Sequence, residues 1–208
     1  MDNTPVLIIL AGGRSTRMGF PKGLLDFHGN YWILEQISRY KYVNNAKVYI
    51  GLGYDYKNYL AAIPWFEKAK DNYYEYQGVE VKVVINNQPQ FGAFSTLQTV
   101  LNSIDKEYSV LVQPVDVPLL NKQSLASIIN ENHSVVIPKC SDKNGHPVKL
   151  KPKFWNRLLK VDISSNDARL DLQIKKTNNE SVTYVKVLDS SVYQNINTKE
   201  KWTEYLKI

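Results

Sequence analysis

VLIILAGGRSTRMGFPKGLL, residues 6–25, sets an unbroken apolar run against four glycines, two arginines and a lysine. A continuous apolar run closed by glycine is how a strand buried on both faces reads. Such strands belong to parallel sheets, whose ligands gather outside the strand carboxyl ends. Three cations at that place call for an anion. Glycines let the main chain come close to a ligand and turn its amides inward, forming a concave anion site. Arg17 offers a fork of donors to phosphate oxygens and Lys22 a compact charge, while Pro21 stiffens the chain before it. The alternative, a surface turn with solvated charges, needs no such density of basic groups. The two familiar phosphate loops are absent. Gly13 and Gly19 are separated by five residues with Phe20 following, and residues 12–17 read GGRSTR.

Outward from this loop, strand-like and helix-like segments alternate. Strand character recurs at 47–52, 79–85, 109–112, 135–137, 148–150 and 182–187. Helical spacing marks 32–43, 55–63, 94–104, 121–130, 153–160, 167–175 and 199–206. Asn121 is an N-cap candidate. Repeated strand–helix–strand units predict an α/β three-layer sandwich, with a mostly parallel, Rossmann-like sheet between helices. The expectation is one domain over residues 1–208. PWFEKAKDNYYEYQG, residues 64–78, has no clean period and reads as a surface excursion, either an oligomer contact or a lid over the second substrate.

Composition narrows the function. The chain has 208 residues, 43% of them hydrophobic, and a net charge of +6. Its lysines are scattered and no block of five like charges occurs, so the basic balance does not point to nucleic acid. Anionic small substrates suit it equally well. The single cysteine, Cys140, excludes an intrachain disulfide. No apolar run approaches the ~18 residues of a membrane span. The expectation is a cytoplasmic protein, a monomer or weak homo-oligomer.

LAGGRSTRMGFPKGLL, residues 10–25, matches the L-A-G-G-x-S-x-R-M-G-x-P-K-x-L-L signature of the MobA-like molybdenum-cofactor nucleotidyltransferases. The resemblance implies a glycosyltransferase-A-like nucleotide-binding fold, shared with sugar-phosphate, choline-phosphate and methylerythritol-phosphate nucleotidyltransferases. It implies that Leu10, Ala11, Gly12, Gly13, Ser15 and Lys22 bind the nucleotide, and that Arg17, Lys22 and Asp116 are catalytic.

Four further segments resemble the family in order. VLVQPVDVPLL, residues 110–120, ends an apolar strand at Asp116. Mg²⁺ is commonly held by one or two carboxylates plus substrate phosphates, and the family's D-x-P aspartate is its main metal ligand. QFGAFSTLQTVL, residues 90–101, aligns Gly92 and Ser95 with an element that touches base and ribose. Ser95 reads equally as a helix N-cap. NGHPVKL, residues 144–150, resembles a segment of the molybdopterin branch. Its lone His146 reads as structural or as lying near the acceptor. QNINTKEKW, residues 194–202, places Asn195 and Asn197 where the family closes on its metal, and Thr198 as a cap for the last helix.

The reaction implied is attack of an acceptor phosphate on the α-phosphorus of a nucleoside triphosphate, with pyrophosphate leaving and Mg²⁺ assisting. The PKGLL stretch leans to CTP over GTP, and the loop and GHPV segments lean to molybdopterin as acceptor. A sugar, polyol or choline phosphate is the alternative acceptor. A non-catalytic nucleotide sensor on the same fold is the reading from another class.

Overall fold

The computed structural model describes residues 4–207. Its strands are β1 (Val6–Ala11), β2 (Asp26–Phe27), β3 (Asn30–Tyr31), β4 (Lys47–Leu52), β5 (Tyr74–Tyr76), β6 (Val79–Ile85), β7 (Val110–Pro114), β8 (Val135–Cys140), β9 (Lys143–Asn144), β10 (Val148–Leu150) and β11 (Val182–Lys186). Its α-helices are α1 (Trp32–Ser38), α2 (Tyr56–Ala62), α3 (Trp65–Asp71), α4 (Gly92–Leu101), α5 (Lys122–Asn130), α6 (Pro152–Leu158), α7 (Leu170–Lys175) and α8 (Lys199–Tyr205).

The central sheet runs β11-β8-β10-β7-β1-β4-β6-β5. β1 pairs in parallel with both β4 and β7, β4 with β6, and β8 with β11. β10 is antiparallel to both neighbours, and β5 is antiparallel to β6. This is the α/β architecture expected from the alternating pattern. β1 alternates between the two layers beside it. Leu7, Ile9 and Ala11 join one apolar cluster with α1, α3, α5 and α8, while Val6 and Ile8 join the other with α4 and α6. Burying each of Val6, Leu7, Ile8 and Ile9 stabilises the fold by roughly 1.5–3 kcal/mol, which is why this run is pinned at the centre.

Strand order sets where a ligand binds. From β1 the chain moves to β4 and β6 on one side, then returns to β7 on the other. The switch point of this doubly wound sheet therefore lies between β1 and β7. The glycine loop leaves one of these strands, and Asp116 follows the other.

Two expectations change. Residues 64–78, expected as a surface excursion without a clean period, form regular structure, α3 and β5. α3 buries Phe66 and Ala69 completely, and β5 closes the sheet edge, with Trp65 stacked on Tyr74 at 4.6 Å and on Tyr76 at 5.3 Å. The segment sits at the edge opposite β8 and β11. The helix expected over 32–43 stops at Ser38, whose hydroxyl bonds the Leu34 carbonyl. Tight turns then carry Tyr40 into the core, where its hydroxyl donates to Pro5 O at 2.5 Å. The apolar spacing is satisfied there without helical backbone.

Candidate active site

The glycine loop is shaped by its own backbone. Ser15 has φ +49 and its carbonyl accepts from the amides of Met18 and Gly19, while its hydroxyl accepts from Lys22 N at 3.4 Å. Gly12 has a steric reason. A Cβ there would stand 2.6 Å from Thr96 Oγ1 on α4, so only glycine lets the loop lie against that helix. The loop then turns into a short 3-10 helix at Lys22–Leu24, tied down by Gly23 N donating to Tyr59 OH at 3.1 Å.

Asp116 is held at the other side of the switch point. The β7 ladder continues through Val115 N to Leu10 O at 3.0 Å. Trp32 on α1 donates its indole N–H to Val115 O at 2.7 Å, and Ile196 N donates to Asp116 O at 2.8 Å. That last bond brings the C-terminal segment to the site. The segment also passes Gly145, where a Cβ would collide with Val192 O at 1.7 Å.

Three residues distant in sequence meet there. Lys22 Nζ donates to Asp116 Oδ2 at 2.8 Å and to Asn197 Oδ1 at 2.5 Å. The ion pair is largely shielded, with side chains 15% and 20% exposed. One carboxylate oxygen and one amide oxygen thus converge on a single positive charge. Among the described residues, no group of three or more His, Cys, Asp or Glu side chains could hold a metal. A pair of hard oxygen donors suits Mg²⁺, which keeps waters and borrows substrate phosphates.

The cluster borders one of two adjoining cavities. The first, about 440 Å³, is lined by Leu10, Ala11, Gly12, Gly13 and Ser15, by Lys22 and Asp116, and by Gly92 at the start of α4. The second, about 600 Å³, shares Leu10, Gly92, Ala93 and Pro114 with the first and extends past His146 to Arg169 and Tyr184. Arg169 forms a forked pair with Asp171, with both contacts at 3.1 Å. His146 is half-buried. Its burial pushes the imidazolium pKa down, against the raising effects of the Val112 carbonyl and the Asp116 charge, so the ring is neutral at pH 7.

Not every residue singled out from the sequence reaches this place. Arg17 is exposed, outside the lining of either cavity, and has no hydrogen-bond or ion-pair partner among the described residues. Ser95 is 2% exposed, and its hydroxyl donates to the carbonyls of Gln88 and Gly92 and accepts from Asn86 Nδ2. It is neither an N-cap nor a cavity residue. Its neighbours Gly92, Ala93 and Thr96 line the cavity instead. Asn195 is exposed and turned away, donating to Tyr193 O, so Asn197 is the residue at the cluster. Arg14 and Tyr54 were not assigned from the sequence. They line the first cavity together, with the guanidinium 4.3 Å from the ring centroid. No periodicity marks Tyr54, which reaches the loop only because β4 lies beside β1.

The chain is similar to a probable molybdenum cofactor guanylyltransferase of Clostridium perfringens, 23% identical over 96% of this chain and 94% of that protein. The fold is that of Rv0371c from Mycobacterium tuberculosis H37Rv, with TM-score 0.71, 17% identity and full coverage of both chains. A manganese complex of Rv0371c gives TM-score 0.67 at 18% identity, covering 98% of each chain. The model of the MobA-like NTP transferase domain matches residues 7–177, which contain the glycine loop, Lys22 and Asp116. The chain belongs to the MobA-like NTP transferase domain family and is a nucleotidyltransferase.

Proposed function

We propose that this enzyme transfers a nucleoside monophosphate from GTP or CTP to the phosphate of a small acceptor, molybdopterin, releasing pyrophosphate. The observation that carries the reading is the meeting of Lys22, Asp116 and Asn197 at the switch point, beside one cavity walled by the glycine loop and a second adjoining it. The donor triphosphate takes the loop cavity and the acceptor takes the second. The relative's name favours GTP, whereas the PKGLL stretch favours CTP.

An acceptor phosphate oxygen attacks the α-phosphorus. The bond from that phosphorus to the β-phosphate oxygen breaks, and pyrophosphate leaves with the electron pair. The attacking phosphate is already an anion, so positioning and charge stabilisation carry the reaction. Loop amides from Gly12 onward hold the β- and γ-phosphates. Lys22 offsets charge growing at the α-phosphate, and exposed Arg17 folds in over the leaving pyrophosphate. Asp116 and Asn197 would hold Mg²⁺. When bound, the ion neutralises the triphosphate and favours departure of the leaving group.

The test is incubation of the enzyme with Mg²⁺, molybdopterin and each of GTP, CTP, UTP and ATP. Pyrophosphate and a pterin dinucleotide should form with one base. Formation of product only with a sugar, polyol or choline phosphate would replace molybdopterin as acceptor. Absence of product with every acceptor and base would leave a nucleotide-binding domain without transfer.

A further inference from the structure

Two buried glutamines converge on one carbonyl beside Asp116. Gln36 on α1 and Gln113 on β7 are both 0% exposed. Gln36 Nε2 donates to Val117 O at 2.7 Å, and Gln113 Nε2 donates to the same oxygen at 2.5 Å. Gln36 Oε1 also accepts from Leu119 N at 2.8 Å. With Trp32 on Val115 O and Ile196 on Asp116 O, three consecutive carbonyls around Asp116 are each held by a donor from another part of the chain. The turn bearing the carboxylate is therefore gripped from α1, from β7 and from the C-terminal segment.

This arrangement is costly. Gln113 Oε1 is buried without a hydrogen-bond partner among the described residues. An orphaned buried acceptor is destabilising, and a methionine of similar shape would avoid that loss. A group kept only for packing has no reason to be a glutamine at this position.

We propose that Gln36 and Gln113 are positioning residues. Through the Val117 carbonyl they fix the 115–119 turn so that the Asp116 carboxylate faces Lys22 and Asn197. The inference rests on Asp116 acting as proposed above. Partners behind a ligand hold its orientation, and their loss typically weakens metal affinity 10–100-fold.

The test compares Gln113→Met and Gln36→Met with the unaltered enzyme. Manganese affinity in the presence of nucleotide is read by electron paramagnetic resonance, and stability by melting temperature. Gln113→Met should melt at the same temperature or higher, yet bind Mn²⁺ about tenfold more weakly. Gln36→Met should lose both stability and affinity, because it strands the Leu119 amide. If Gln113→Met keeps its Mn²⁺ affinity within about twofold, far short of that expected loss, the positioning role is overturned, whatever its melting temperature. If the unaltered enzyme itself binds no Mn²⁺, the metal part of the proposed function fails. Crystal structures of both variants then decide the inference separately. A displaced turn with Lys22 and Asp116 parted supports it, and an unmoved pair overturns it.

Discussion

Lys22 and Asp116 stand 94 positions apart in the chain, yet the ammonium of the first donates to the carboxylate of the second at 2.8 Å. The parallel pairing of β1 with β7 makes this meeting, because both residues follow the carboxyl ends of adjacent strands.

Replacing Lys22 by Ala should lower turnover by about 100-fold or more, the scale of losing one charged transition-state donor. Lys22 also occupies the oxygens that would take the metal. The same variant should therefore bind Mn²⁺ more tightly than the unaltered enzyme when no nucleotide is present. Steady-state kinetics and a Mn²⁺ titration check the two halves, and near-normal turnover would remove Lys22 from the chemistry.

The two asparagines should separate cleanly. Asn197→Ala should weaken metal activation by tenfold or so, since it removes one of two converging oxygens. Asn195→Ala should leave it unchanged, because that side chain serves Tyr193 O. Equal effects in Mg²⁺-dependence curves would refute the assignment of Asn197 to the cluster.

Gly12→Ala should destabilise the enzyme by about 1–3 kcal/mol through overpacking, because the added methyl meets Thr96 Oγ1 at 2.6 Å. Thr96→Ala in the same chain should return part of that loss. Chemical denaturation of the single and double variants gives the coupling, and strictly additive losses would mean that the two residues do not touch.

Stability should peak on the alkaline side. Lys149 is 5% exposed and donates to Ile129 O and Glu131 O at the end of α5. Burial above all, and then the Lys151 charge, lower its pKa to about 8. Between that value and its unfolded value of 10.5, the unfolded chain binds more protons than the folded one, so stability rises with pH. Above about pH 10 the sign reverses. Buried Tyr40, Tyr49 and Tyr59 resist ionisation, the unfolded chain then binds fewer protons, and stability falls. Urea midpoints from pH 7 to 11 test this. The rise should be absent in Lys149→Met, and a rise that persists there would assign it to another group.

The apolar run before Gly12, the alternating strands and helices and the Asn121 cap were all legible in the sequence, because each depends on neighbours a few residues away. Asn121 accepts from Ser124 N at 2.9 Å, as an N-cap should. The glycine loop was legible too, since its basic residues and glycines are contiguous. Residues 64–78 were not. Trp65 on α3 stacks on Tyr74 of β5, and β5 pairs antiparallel with β6, contacts that no local period records.

The sequence by itself determined the sheet, its glycine loop and the family. Tertiary structure alone decided which residues share the site. It chose Asn197 over Asn195, withdrew Ser95 into a buried hydroxyl network, and set Gln36 and Gln113 behind Asp116. The physical reason is range. Burial period and turn chemistry act over a few residues, whereas convergence on one charge is set by which strands lie side by side.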